Sequence, residues 1–168
     1  MLCVIAKLSS GATEKLRALR EAAVPPERKL RPLYGHITLA TYLPEDEERF
    51  ITACAELVRG CRPFSVRYER IEFLPRTSIV VAAPAASEEL ISLHDRIAEA
   101  FSGSLDQWTG GEKWYPHTTL ASGPAAELEP LCAELQRRFT PFDARIGRIE
   151  FSRVEDTGYT ILRTMDLI

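Results

Sequence analysis

Two short stretches hold the residues best suited to chemistry: Tyr34-Gly35-His36-Ile37-Thr38-Leu39-Ala40 and Tyr115-Pro116-His117-Thr118-Thr119-Leu120-Ala121. Side chains alternate between faces along an extended strand, so His36, Thr38 and Ala40 share one side and Ile37 and Leu39 the other. By the same parity His117 and Thr119 stand together, opposite Thr118 and Leu120. Each copy is therefore a strand with an apolar side for a core and a side bearing one imidazole and one hydroxyl. A core has no use for that pair, but a phosphoryl group does. Hydroxyls donate to its oxygens, where charge gathers as bonds are made and broken. Imidazoles titrate near neutrality, so one can take a proton from water while the other gives one to the leaving oxygen. In-line attack needs the two rings on opposite sides of the phosphorus.

The elements that must position these residues are themselves repeated. Cys54-Ala55-Glu56-Leu57 returns as Cys132-Ala133-Glu134-Leu135, Pro63-Phe64 as Pro141-Phe142, and Arg70-Ile71-Glu72-Phe73 as Arg148-Ile149-Glu150-Phe151. All three share an offset of 78 (132−54, 141−63, 148−70), and the histidines differ by 81 (117−36). Matched segments in matched order mean two copies of one supersecondary unit. Each copy opens with a strand rich in Val and Ile, Leu2 to Leu8 or Ser78 to Ala83. A helix follows: Ala12, Leu16, Leu19 and Ala23 form the stripe of the first, and Ser87 caps the second, which carries Leu90, Ile97 and Phe101. After an irregular stretch the histidine strand leads into another helix, with the stripe Phe50, Cys54 and Leu57 or Leu128, Cys132 and Leu135. Phe64 to Phe73 and Phe142 to Phe151 are the closing strands. Gly158 to Leu167 supplies one more strand, entered through a hairpin turn at Asp156-Thr157-Gly158.

Strand pairs joined by short turns point to antiparallel pairing. The pattern predicts an α+β fold: one domain of two pseudo-repeat lobes, about 1–75 and 76–168. Two facing, mainly antiparallel sheets would have helices outside and a central groove carrying His36, Thr38, His117 and Thr119.

The chain's 168 residues suffice for a substantial core, and 45% hydrophobic with 27% charged residues is an ordinary globular balance. A net charge of −3 gives no general attraction to polyanions, so long duplex nucleic acid is not an expected partner. No apolar run is long enough to span a membrane, and the N-terminus reads as a first strand rather than a signal peptide. Cys3, Cys54, Cys61 and Cys132 fit no zinc or redox spacing and read as reduced packing residues in a cytoplasmic protein. A monomer is expected.

His-x-Thr-Leu twice, about 80 residues apart in a duplicated α+β chain, resembles the two-histidine (2H) phosphoesterase superfamily, nearest its bacterial 2′–5′ RNA ligase-like and cyclic phosphodiesterase branch. The likeness spans essentially the whole chain. It implies hydrolysis, and in some members reversible formation, of phosphodiesters that involve a ribose 2′-oxygen. The substrate would be a nucleotide or short RNA with a 2′,3′-cyclic phosphate or a 2′–5′ linkage. His36 and His117 carry over as acid and base, and Thr38 and Thr119 as phosphate ligands, with no cofactor. Members of that branch commonly have an arginine directly after the second motif, where this chain has Ser122; Arg163, Lys113 and Lys7 are candidate replacements. Two other readings share the groove. One is hydrolysis of a small cyclic (oligo)nucleotide or an ADP-ribose cyclic phosphate. The other is a non-catalytic nucleotide- or RNA-end-binding module, which would need no paired acid and base.

Several neighbours complete the expectations. Of Tyr34, Tyr42, Trp108, Trp114 and Tyr115, Tyr42 and Trp114 are candidates to stack a base, with Ser122 near the phosphate. Arg28-Lys29-Leu30-Arg31 reads as a solvated loop that could steer an anion. Two histidines lack the third ligand of a catalytic zinc, so no metal is expected, and His94 reads as a helix residue hydrogen-bonded to a neighbour. The acidic Glu45-Asp46-Glu47 run follows the first motif and Lys113 precedes the second. A carboxylate favours imidazolium and a cation the neutral ring, which predicts His36 as the acid and His117 as the base.

Overall fold

The computed structural model describes residues 1–24, 32–43, 46–110, 113–155 and 158–168. Two expectations therefore lie outside the described residues: the basic run from Arg28 to Arg31, and the residues Asp156 and Thr157 of the hairpin turn. In chain order the elements are β1 (Leu2–Leu8), α1 (Ser10–Ala23), β2 (His36–Tyr42), α2 (Glu47–Val58), β3 (Phe64–Leu74), β4 (Ile79–Pro84), α3 (Glu88–Ala100), β5 (Thr118–Ser122), α4 (Ala125–Arg138), β6 (Phe142–Glu155) and β7 (Gly158–Asp166).

Local chemistry sets the helix ends. Asp46 Oδ1 accepts from Arg49 N at 2.8 Å and Ser87 Oγ accepts from Leu90 N at 3.3 Å, which satisfies an otherwise orphaned amide at each N-terminus. Glu47 and Glu48, like Glu88 and Glu89, place negative charge against those amides. The buried stripes are Phe50, Cys54 and Val58 on α2 and Leu128, Cys132 and Leu135 on α4. On α2 the i, i+4, i+8 line ends at Val58 and leaves Leu57 only half-buried.

Every strand pair is antiparallel, and the order is β2-β1-β6-β3-β4-β5 with β7 beside β6. The two sheets expected from the sequence are thus one continuous seven-stranded sheet. The join is β6, whose 14 residues exceed the reach of any one partner. Its first part pairs with β3, from Phe142↔Tyr68 to Ile146↔Phe64, and its later part lies between β1 and β7. Each closing strand also leaves its own repeat. β3 belongs to the first copy but pairs with the opening strand of the second, and β6 pairs with the opening strand of the first. Among the described residues β7 has no counterpart in the first repeat and pairs with β6 alone.

The first and last strands in this order come together without pairing. Thr118 Oγ1 on β5 donates to the carbonyl of His36 on β2 at 2.8 Å. Ile37 and Leu39 are fully buried, as are Phe50, Leu90, Ile97, Leu128 and Leu135 from the helices. Cys3, Cys54 and Cys132 are buried and Cys61 is half-buried, all as free thiols, in keeping with packing roles. Among the described residues no helix is long and apolar enough to cross a membrane.

Candidate active site

His36 opens β2, and His117 immediately precedes β5. Each ring turns back onto its own backbone: His36 Nδ1 to the Tyr34 carbonyl at 2.5 Å, His117 Nδ1 to the Tyr115 carbonyl at 2.7 Å. A carbonyl only accepts, so both Nδ1 atoms carry hydrogen, and each Nε2 is left to accept a proton or, once protonated, to donate it. Thr38 is half-buried and Thr119 exposed, and among the described residues neither hydroxyl has a hydrogen-bond partner. Two free hydroxyls and two Nε2 atoms are the donors and proton carriers that a phosphodiester needs.

A feature of the pairing decides which neighbours join them. The β1–β2 register steps from Val4↔Ala40 to Ile5↔Thr38, and the β4–β5 register from Val80↔Ala121 to Val81↔Thr119. Leu39 and Leu120 are therefore the extra residues of two β-bulges at equivalent places, and a bulge reverses the face of every later side chain. Hence Leu39 and Ala40 are both buried, and Tyr42 turns into the core. Tyr42, which flanks the first motif, is one of the two base-stacking candidates. It is fully buried instead, edge-on to Phe50 and Phe101, with its hydroxyl on the Ile97 carbonyl. By the same shift Ser122, exposed at the end of β5, falls on the side of Thr119.

Trp114, the other candidate, is half-buried and anchored to β2 and α3. Its Nε1 donates to the Thr38 carbonyl at 2.8 Å, and its ring lies parallel to His94 with centroids 3.7 Å apart. His94, buried on α3, reaches the Leu39 carbonyl through Nδ1 at 2.7 Å, the neighbour bond expected of it. Together they hold the edge of β2 along the bulge.

Some partners were not readable from the sequence. Tyr34 donates to Glu150 Oε2 at 2.6 Å, and the equivalent Tyr115 donates to Glu72. Each tyrosine of one motif is thus held by the glutamate of the other repeat. The repeated Tyr and repeated Glu were both visible; their crossed pairing follows from the exchange of β3 and β6. Thr118 is the second. It is buried, accepts from the Tyr68 hydroxyl at 2.6 Å and donates to the His36 carbonyl, tying the two motifs together. Removing that hydroxyl with the shape kept, as in Thr118→Val, leaves two buried groups unpaired. It should cost about 1–3 kcal/mol in urea unfolding and slow turnover as well. An unchanged midpoint would show that the tie is not made.

Lys7 breaks the symmetry. In the register it lies opposite His36; its Nζ sits 3.2 Å over the Tyr34 ring centroid and donates to the Gly35 carbonyl at 3.2 Å. On the other side β4 continues past Ala82, the partner of Thr118, to the uncharged Ala83. Burial pushes both imidazoles below the ordinary value of 6.5, while their carbonyl bonds pull the other way. At His36 the charges of Lys7 and of His117 push further down, and Glu150 pushes up. Among the described residues, the sequence neighbours that suggested the roles are not the groups acting on the rings. Asp46 caps α2, Glu45 lies outside the described residues, and Lys113 is not among the groups that shift His117. Burial lowers His94 too.

Three histidines depressed by folding give a stability prediction with a definite sign. Below about pH 6.5 the unfolded chain binds protons that the folded one refuses, so stability should fall on acidification through that window. The urea midpoint should be lower at about pH 5.5 than at about pH 7.5; equal midpoints would mean that the rings are not desolvated.

Beside His117, between Tyr115 and the turn after β3, lies a cavity of about 530 Å³ that His36 does not border. Lys113 lines it, whereas Arg163 lies exposed on β7 opposite Phe151 and, among the described residues, makes no hydrogen bond to either histidine.

A family model described as the 2′-5′ RNA ligase superfamily matches residues 8–158. The structure resembles Escherichia coli LigT complexed with 3′-AMP, with a TM-score of 0.68 at 19% identity, over 99% of this chain and 96% of that one. It is similarly like TT0787 of Thermus thermophilus, with a TM-score of 0.68 at 20% identity, covering 99% and 97%. Usb1 of Kluyveromyces marxianus with uridine monophosphate is more distant, with a TM-score of 0.52 at 12% identity, covering 99% and 97%. No curated protein matches the sequence.

Proposed function

This chain belongs to the 2′-5′ RNA ligase superfamily, and on that premise we propose that it is a metal-independent phosphodiesterase for a nucleotide or short RNA end bearing a 2′,3′-cyclic phosphate or a 2′–5′ linkage. The observation that carries the reading is the pair of imidazoles both held through Nδ1, beside two threonine hydroxyls, with each Nε2 and each hydroxyl free among the described residues. Binding alone would need no such pair, which speaks against a non-catalytic module. The nucleotides bound by LigT and Usb1 in their structures support the substrate class.

In the proposed step a water oxygen attacks phosphorus as its proton passes to the Nε2 of one neutral histidine. The bond to the ribose oxygen breaks, and the other histidine's Nε2–H protonates that oxygen, leaving a phosphomonoester and a free ribose hydroxyl. Thr38 and Thr119 hold the non-bridging oxygens. Lys7 favours a neutral His36, the form required of a base. The cavity beside His117 gives a nucleoside room on the leaving-group side. His36 is therefore assigned as base and His117 as acid, the reverse of the expectation from sequence neighbours.

Two imidazoles and two hydroxyls ligate zinc poorly and magnesium worse. Among the described residues no group of three or more His, Cys, Asp and Glu could hold a metal. Incubation with a panel of cyclic and 2′–5′-linked nucleotides, followed by phosphorus NMR, should reveal hydrolysis that persists in excess EDTA. Loss of activity on chelation, restored by one particular metal, would overturn the mechanism.

A further inference from the structure

We propose that the cavity beside His117 is a subsite for the nucleoside that carries the reacting phosphate and for a second phosphate on that nucleoside's 5′-oxygen. The substrate would then be an RNA end or a 5′-phosphorylated nucleotide rather than a bare nucleoside cyclic phosphate. This rests on the proposed phosphodiesterase function and identifies its substrate further.

The cavity's volume, about 530 Å³, lies within the usual range for small-molecule sites and has His117 at one end. The ribose must extend from the leaving oxygen, away from the incoming water, and so toward His117 and into this space. Leu74, Pro75 and Ile79 give it an apolar wall, and Trp108 lies on the same lining. Trp108 is 52% exposed, an apolar surface without a cover of its own and broad enough to stack a base.

Three cations also line the cavity, and their partners distinguish them. Arg70 is occupied by Glu72, at 2.7 Å, and by the Tyr115 hydroxyl, at 3.1 Å. Arg76 and Lys113 are exposed, and among the described residues neither side chain has an ion pair or hydrogen bond. Arg76 is fixed at the backbone: the turn after β3 closes with Thr77 N and Thr77 Oγ1 both on the Leu74 carbonyl at 3.2 Å, and Ser78 takes a left-handed φ of 52°. A built turn that presents an unneutralised guanidinium into a cavity shared with an acid–base histidine suits an anion on the far side of the sugar.

The test compares uridine 2′,3′-cyclic phosphate with its 5′-phosphorylated form and with a dinucleotide ending in the same cyclic phosphate. Wild type should favour both extended substrates in kcat/KM by about tenfold or more. In Arg76→Ala/Lys113→Ala that ratio should fall toward unity. A larger advantage for the dinucleotide indicates an RNA end, and one confined to the terminal phosphate a mononucleotide. Trp108→Ala should lower kcat/KM on all three by roughly five- to a hundredfold. A binding arm uses uridine 5′-monophosphate against uridine by calorimetry on the His36→Ala protein. The phosphate should tighten binding, and the added Arg76→Ala/Lys113→Ala change should abolish that gain; circular dichroism checks folding. Hydrolysis without preference for the 5′-phosphate would overturn the subsite and leave the phosphodiesterase standing. No hydrolysis of any substrate, with phosphate-dependent binding that still needs Arg76 and Lys113, would overturn the activity and leave the subsite.

Discussion

His117→Ala should lower hydrolysis of a 2′,3′-cyclic phosphate by at least about 10²–10⁴-fold, yet recover most of that loss on a nitrophenyl phosphodiester, whose leaving group needs no proton. His36→Ala should lose as much and stay inactive on both substrates. The losses are expected to be catalytic rather than structural. Each ring is only half-buried, and its one hydrogen bond among the described residues is to a backbone carbonyl two residues away, so alanine removes no partner from the core. The asymmetry comes from Lys7 beside His36, with Ala83 in the equivalent place, and from the cavity beside His117. Rescue of His36→Ala instead would reverse the assignment. Full activity in either variant would end the two-histidine mechanism. Both pKa values lie below 6.5 in the free protein, so the bell in kcat/KM should be displaced to acid pH. A bound phosphate anion favours both imidazolium forms and should move the bell in kcat upward.

Much of this was legible in the residues. The duplicated motifs located both histidines and both threonines, and Val- and Ile-rich runs, apolar stripes and caps located the strands and helices. The errors share a cause: each concerned a partner across the sheet. Tyr42 is a candidate because it flanks the first motif, and alternation would put it on the histidine face, but alternation holds only while the facing strand keeps step. The bulge at Leu39 is a property of the β1–β2 pairing, not of the peptide that contains it. Likewise Lys7 is remote from His36 in the chain and opposite it in the register, so the sequence neighbours did not reveal the cation that faces the ring. The crossed Tyr34–Glu150 and Tyr115–Glu72 bonds were hidden because each repeat reads as self-contained when its closing strand is not.

That exchange makes a strong prediction about folding. The repeat boundary suggests two lobes, about 1–75 and 76–168. A chain of residues 1–75 would hold β1, α1, β2, α2 and β3, yet β1 would lose β6, and β3 would lose both β4 and β6. Val66, Tyr68 and Ile71 of β3 are nearly inaccessible in the whole protein and would have nothing left to pack on. A small domain has only about 5–15 kcal/mol of net stability to lose, and each buried side chain of this size contributes about 1.5–3 kcal/mol. Residues 1–75 alone should therefore show no cooperative thermal transition and little near-ultraviolet circular dichroism. Mixing the fragment with residues 76–168 should restore both, because the missing strands then come from the partner. The turn between β3 and β4 is exposed from Pro75 to Ser78, so a single cut there in the folded protein should leave it assembled. A cooperative melt from residues 1–75 alone would mean that β3 can pair within its own repeat, and the halves would then be separate lobes after all.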